Sequence, residues 1–194
     1  MNERDHGAQV GPDAAIAPDA RLDCGEGTPT DLGPRAVVRS GSVLYADVTG
    51  GADFTTGHNA LVREDTTFGD DVLVGTNAVI DGASTLGSRV SLQTNAYVPR
   101  ETTVGDDVFV GPNAVLTNDP YPVRENVDLA GPTLEDGASV GANATVLPDV
   151  TVGADAFVAA GAVVTGDVPA RTLAVGAPAT HRPLPDELRG RNEL

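Results

Sequence analysis

An apolar residue returns every six positions through most of this chain, and that period constrains the fold more than any other feature. Beginning at Val38, the series runs Leu44, Val62, Phe68, Val74, Ile80, Leu86, Leu92, Val98, Val104, Val110 and Leu116, then resumes in step at Leu134, Val140, Val146, Val152, Val158 and Val164. Only Gly50 and Thr56 interrupt it. The overall hydrophobic fraction is 40%, so chance would leave more than half of these positions polar. An α-helix repeats at 3.6 residues and does not hold a period of six in phase. Three hexads closing an eighteen-residue turn do hold it, as a triangular parallel β-helix whose short strands pair with the coils above and below. The expected fold class is therefore all-β.

Two further positions share the register. The residue four after each apolar one is Ser, Thr, Ala or Val, with Phe54 the exception, in the hexad that starts at Gly50. A large side chain beside a missing one implies volume compensation in a close-packed core. Asn59, Asn77, Asn95, Asn113 and Asn143 mark a corner, because Asn tolerates a left-handed backbone, and Gly41 and Gly161 take the equivalent places. About seven coils, spaced by ~4.8 Å, are expected. Val10, Ile16 and Leu22 belong to a first coil, which Gly25 to Pro34 interrupt. The expected organisation is an N-terminal tail over 1–9, a β-helix domain over 10–170 and a C-terminal extension or cap over 171–194.

Composition narrows the partners. There are 28 acidic and 12 basic residues, the basic ones are all Arg, and the net charge is −16. Such a surface disfavours nucleic acid and anionic membranes. Dense carboxylates without Lys point to halophilic adaptation, which predicts a melting temperature that rises from low to multimolar KCl. The lone Cys24 rules out an intrachain disulfide, and no apolar stretch is long enough for a membrane span or signal segment, so a cytoplasmic location is expected.

The repeat breaks its own rule once more. Eighteen residues instead of six separate Leu116 from Leu134, so a loop of about twelve, Pro120 to Gly131, leaves the coil with Thr117, Asn118 and Asp119 at its base. Loops thrown from a rigid array are where binding tends to reside. His58 is the one His on the scaffold, His6 and His181 being in the tails. It precedes a corner Asn and should project outward, as a candidate base. Three His so scattered are unsuited to a zinc site, and no metal is expected.

The segments Val110 to Ala114, Val140 to Thr145, Ala160 to Pro169 and Gly176 to Ala179 resemble the hexapeptide-repeat acetyltransferases. The resemblance implies a left-handed β-helix, a homotrimer, and acetyl-coenzyme A as co-substrate in a groove between neighbouring C-terminal coils. Gly141, Ala159 and Ala160 are its implied contacts, with Arg171 and Arg182 as candidate cations for the coenzyme phosphate. More narrowly, Leu116 to Pro122 and the following excursion resemble the N-acetyltransferases of nucleotide-linked amino sugars, in which a Thr-Asn-Asp segment borders the substrate. The sequence departs from them at Val98-Pro99-Arg100-Glu101, where a Glu would be expected in place of Arg100.

These readings place acetyl transfer to an amine of a nucleotide-linked sugar first, with His58, Asn118 and Asp119 as catalytic candidates. Acetylation of a hydroxyl on a sugar or small acceptor, with His58 as base, is the rival enzyme reading. A non-catalytic β-helix scaffold is the rival from another class. The outward positions suggest how a trimer would form. One sheet presents Val43, Leu61, Val79, Tyr97, Val115, Thr145 and Val163, whereas the next presents a column of Thr from Thr49 to Thr151. An apolar column on so acidic a protein needs a partner, so Leu61, Val79, Tyr97 and Val115 are expected between subunits.

Overall fold

The computed structural model describes residues 7–192. His6, and with it most of the expected N-terminal tail, lies outside the described residues.

The chain winds into a three-sided parallel solenoid. The first sheet runs from Gln9–Val10 through Asp31–Leu32 to Thr151–Val152, and the second from Ala15–Ile16 to Phe157–Val158. The third runs from Arg21–Cys24 to Val163–Val164. Neighbouring strands pair in parallel, at a spacing of twenty-two between the first two coils, as in Ala15↔Val37, and of eighteen beyond them, as in Leu61↔Val79↔Tyr97↔Val115. Where the loop intervenes, Thr103 pairs with Thr133, so the excursion leaves the ladder in register.

Eight strands on each of the first and third sheets make eight complete coils, where about seven were expected. The coil at Gln9–Cys24 is complete despite the interruption that follows it. The solenoid also continues beyond residue 170: Thr172–Val175 adds in parallel to Phe157–Val158 as a ninth rung, and Thr180–Pro183 folds back on it antiparallel. A 3-10 turn at Asp186–Leu188 follows, and Asn192 then reaches back to bond Ser139 Oγ and the carbonyl of Asp107.

The hexad residues form one continuous core in which Val38, Leu44, Val62, Ile80, Leu92, Val110, Leu116 and Val158 are fully buried. Phe54 occupies the volume that Gly50 leaves. It is itself fully buried and stacks on Phe68 at 5.0 Å between ring centroids.

All three corners are left-handed, not only the Asn column. Asp53, Asp71, Arg89, Asp107, Asp155 and Arg171 have φ of 54–60° between the first and second sheets, and Asp47, Asp65, Glu101 and Asp149 serve between the third and first. Many acidic side chains are corner acceptors. The Asp70 carboxylate accepts the Ala52 N–H at 2.7 Å, Asp106 accepts that of Ser88 at 2.8 Å, and Asp136 accepts that of Asp106 at 2.8 Å. Part of the acidic composition therefore satisfies backbone donors at turns, independently of salt adaptation.

Candidate functional site

The three outward faces differ. Thr49, Thr67, Thr85 and Thr103 stand exposed on the first sheet. The second is partly covered by the returning C-terminus, and Ser91 and Ser139 are buried there. The third presents the apolar column, with Leu61, Val79 and Tyr97 half-buried and Val115 36% exposed within the single chain. Both groups of candidate catalytic residues sit at the edges of this third face.

His58 is exposed at the corner leading into Leu61–Val62, where its carbonyl accepts the Asn77 N–H at 2.9 Å. Asn118 and Asp119 lie past the opposite end of the face, beyond Val115–Leu116. Three rungs separate the strands Leu61–Val62 and Val115–Leu116, about 14 Å along the axis. His58 and Asn118 therefore do not meet at one reacting atom. They border a single long face.

The loop stem is organised by its own side chains. Thr117 Oγ1 donates to the Val146 carbonyl at 3.0 Å, and Asn118 Nδ2 donates to the Arg100 carbonyl at 3.1 Å. Asp119 Oδ1 accepts the Tyr121 N–H at 2.8 Å, and the Ala130 N–H closes the loop on the Asn118 carbonyl at 3.0 Å. The loop itself carries Tyr121, Val123 and Leu129 exposed. Its stem is fixed, and its apolar side chains are uncovered within the single chain.

Sequence reasoning missed a polar cluster along the same edge. Arg63 grips Glu64 through two bonds, Nε to Oε2 at 3.1 Å and Nη2 to Oε1 at 2.8 Å, and reaches Asp81 Oδ1 at 3.4 Å. Arg100 Nη1 donates to the same Glu64 at 3.1 Å, and the Tyr97 hydroxyl donates to Asp81 at 3.2 Å. Arg63 also lies over the Tyr45 ring, 5.5 Å from its centroid. Burial works to raise the Glu64 carboxyl, but its own backbone N–H and the two guanidiniums outweigh it and hold the group below its ordinary range. Burial first, and then the Asp81 carboxylate, push the Tyr97 hydroxyl up. The signal was the spacing: Tyr45, Arg63 and Asp81 are eighteen apart, and Glu64 and Arg100 thirty-six.

The coenzyme candidates divide between places. Gly141 lies directly beneath Ala159 and Ala160 at the corner between the second and third sheets, where a Cβ on Gly141 would come within 2.5 Å of the Ala160 nitrogen. Gly57, Gly75 and Gly111 face the same restriction on this corner, so coil stacking alone accounts for Gly141. Arg182 is exposed on the final antiparallel strand, paired with Leu173. Arg171 occupies the other corner of the second sheet, with its guanidinium 3.5 Å from Asp155 and its side chain 81% exposed. There it borders a cleft of about 550 Å³ together with Leu184, Arg189 and Arg191. Among the described residues, no three His, Cys, Asp or Glu side chains converge as a metal site, and no helix is long and apolar enough to cross a membrane.

Two sequence families match the coils. The bacterial transferase hexapeptide (six repeats) matches residues 131–166, and the hexapeptide repeat of succinyl-transferase matches 66–100. Both matched stretches carry hexapeptide repeats. The two matched stretches of this hexapeptide-repeat chain flank the loop and include Gly141, Ala159, Ala160 and Arg100, but not His58, Asn118 or Asp119.

Among solved structures, PerB from Caulobacter crescentus, in complex with CoA and GDP-perosamine, is 30% identical over 63% of this chain, with a TM-score of 0.50. The match spans 54% of that protein's length, so the chain covers about half of it. The acetyltransferase domain of PglB from Neisseria gonorrhoeae, in complex with acetyl coenzyme A, is 24% identical over 70% of this chain and 58% of that one, with a TM-score of 0.55. LpxA from Bacteroides fragilis, a UDP-N-acetylglucosamine acyltransferase, is 18% identical over 94% of this chain and 71% of that one, with a TM-score of 0.67. The last two share the fold. A search of curated protein sequences found no match.

Proposed function

We propose that this chain is an acetyl-coenzyme A-dependent acyltransferase whose acceptor is an amine on a nucleotide-linked sugar. The observation that carries the reading is the 30% identity to a protein that holds CoA and GDP-perosamine together. One local feature adds support: a loop with a fixed stem stands at one edge of an otherwise regular apolar face. In this reading the coenzyme runs beside Gly141, Ala159 and Ala160, in a homotrimer that covers the apolar third face.

Acetyl transfer needs the amine uncharged and held against the thioester carbonyl, with donors for the oxygen as it gains charge. In this reading Asn118 and Asp119 orient the amine: the carboxylate attracts the ammonium form, the neutral amine attacks the thioester carbonyl, and the carbon–sulfur bond breaks to release the coenzyme A thiolate, which solvent protonates. The amine proton passes to solvent or to a base.

His58 at the far edge supports a second reading. Attack by a hydroxyl requires a true base, and an exposed imidazole is suited to that role near neutral pH.

Removal of Pro120 to Gly131, with a short Gly link joining the in-register coils, tests the favoured assignment. The shortened protein should stay folded and keep its thermal shift with acetyl-coenzyme A while losing acceptor binding. Loss of the coenzyme shift in a folded protein would contradict the division of roles.

A further inference from the structure

We infer that Arg100 is a specificity-determining residue that binds an anionic group of the acceptor, two coils below the loop stem; this rests on the acyltransferase reading for what the acceptor is.

The argument starts from an unusual reach. Arg100 and Glu64 are thirty-six residues apart, two full coils, yet Nη1 donates to Oε1 at 3.1 Å. The guanidinium must therefore cross the coil between them. At that crossing stands Gly82, the residue eighteen from each. It has φ of +96°, and a Cβ there would approach Arg100 Nη1 to 3.1 Å. The one residue without a side chain opens a channel along the edge of the third face, and the guanidinium lies in it.

Arg100 is not consumed by this contact. Glu64 is already held bidentately by Arg63, so it is shared between two cations, and Arg63 is shared in turn with Asp81. Of the five N–H donors of a guanidinium, only Nη1 of Arg100 is engaged among the described residues. The side chain is 34% exposed, so it is within reach of a ligand.

The position relative to the loop is also fixed. The Arg100 carbonyl accepts Asn118 Nδ2 at 3.1 Å, so the backbone that carries the cation is bonded to the loop stem. The guanidinium then extends the other way, about two rungs or ~10 Å from Asn118. An acceptor whose amine meets Asn118 and Asp119 thus places its anionic oxygens along the Gly82 channel. On a chain of net charge −16, long-range forces repel such a group, and a fixed local cation with parallel donors is what would hold it.

The anionic oxygens could belong to the diphosphate of a nucleotide sugar or to a carboxylate on the sugar ring. Equilibrium binding separates the sources, using UDP for the first and 2-amino-2-deoxyglucuronate for the second, by calorimetry on the full chain without acetyl-coenzyme A. The wild type should bind at least one probe, and Arg100→Gln should weaken that probe about tenfold or more, as loss of a charge-assisted contact does. Which probe responds identifies the source.

Glu64→Gln carries the opposite sign. It removes the internal competitor and should tighten the same probe, whereas a merely structural cluster would weaken it. Binding of neither probe to the wild type, equal binding by Arg100→Gln, or unchanged or weakened binding by Glu64→Gln would each overturn the inference. None of these readouts requires acyl transfer, so a failure of the activity reading is seen separately, as absence of thiol release.

Discussion

Replacing Phe54 by Ala should cost about 3–5 kcal/mol, and replacing Gly50 should return part of it. Phe54 is fully buried, and its ring packs on Phe68 at an interplanar angle of 20°. A Cβ at Gly50 would lie 3.0 Å from Leu32 Cδ2, 3.4 Å from Phe68 Cδ2 and 3.8 Å from Phe54 Cγ, so it points into the volume the ring fills. In the wild type, Gly50→Val overpacks that volume and should cost about 1–3 kcal/mol. After Phe54→Ala the same three carbons enter a cavity, and at ~0.8 kcal/mol per buried carbon they should regain about 2 kcal/mol. The coupling between the sites is then about 3–5 kcal/mol, at or above the upper end for residues in contact. Urea unfolding of the four proteins, at one protein and salt concentration, measures it as shifts of midpoint. Additive costs would refute volume compensation as the reason for this pair.

Three further outcomes follow from the same reasoning. His58→Ala should lower turnover at least about a hundredfold if the imidazole is the base, with little change in melting temperature; full turnover would return the chemistry to Asn118 and Asp119. Val79→Asp should dissociate the proposed trimer in light scattering, whereas Thr85→Asp should not, because only the first lies in the apolar column; the reverse pattern would sink that face as the interface. Glu64 titrates below its ordinary 4.5 when folded, so its contribution is present above that pH and is lost as pH falls through the lowered value. Glu64→Gln should accordingly lose less stability than the wild type as pH falls below the ordinary carboxyl value of 4.5, and parallel losses would show that Glu64 does not gain from its two Arg partners.

How far the fold could be read from the residues depended on what repeats. Ile80, Val98 and Leu116 point into one core at one spacing, so they declare both the coil and its register. Asn59 and Asn77 declare a corner because few other residues accept a left-handed backbone. Asp71 and Arg89 hold the same conformation in the next corner, but as charged residues on an acidic chain they read as solvated surface. The ninth rung at Thr172–Val175 was hidden because the spacing from Ala156 to Thr172 departs from eighteen, and the antiparallel return at Thr180–Pro183 has no hexad to mark it.

The site was legible in outline only. The loop announced itself as twelve extra residues, and Asn118 and Asp119 do form its stem. The cluster of Arg63, Glu64, Asp81, Tyr97 and Arg100 did not, because its members meet only when coils stack, and each alone is an ordinary polar residue. Gly141 carries no site signal of its own: the 2.5 Å approach of Ala160 requires a glycine whether or not a coenzyme binds there.

The central claim is acyl transfer from a coenzyme A thioester, and thiol release from acetyl-coenzyme A tests it most directly. With a panel of nucleotide-linked amino sugars, plain sugars and amino acids, release should depend on the acceptor and be fastest with a nucleotide-linked amino sugar. Release with none of them, together with no thermal shift from acetyl-coenzyme A, would contradict the account and leave the coil as a scaffold.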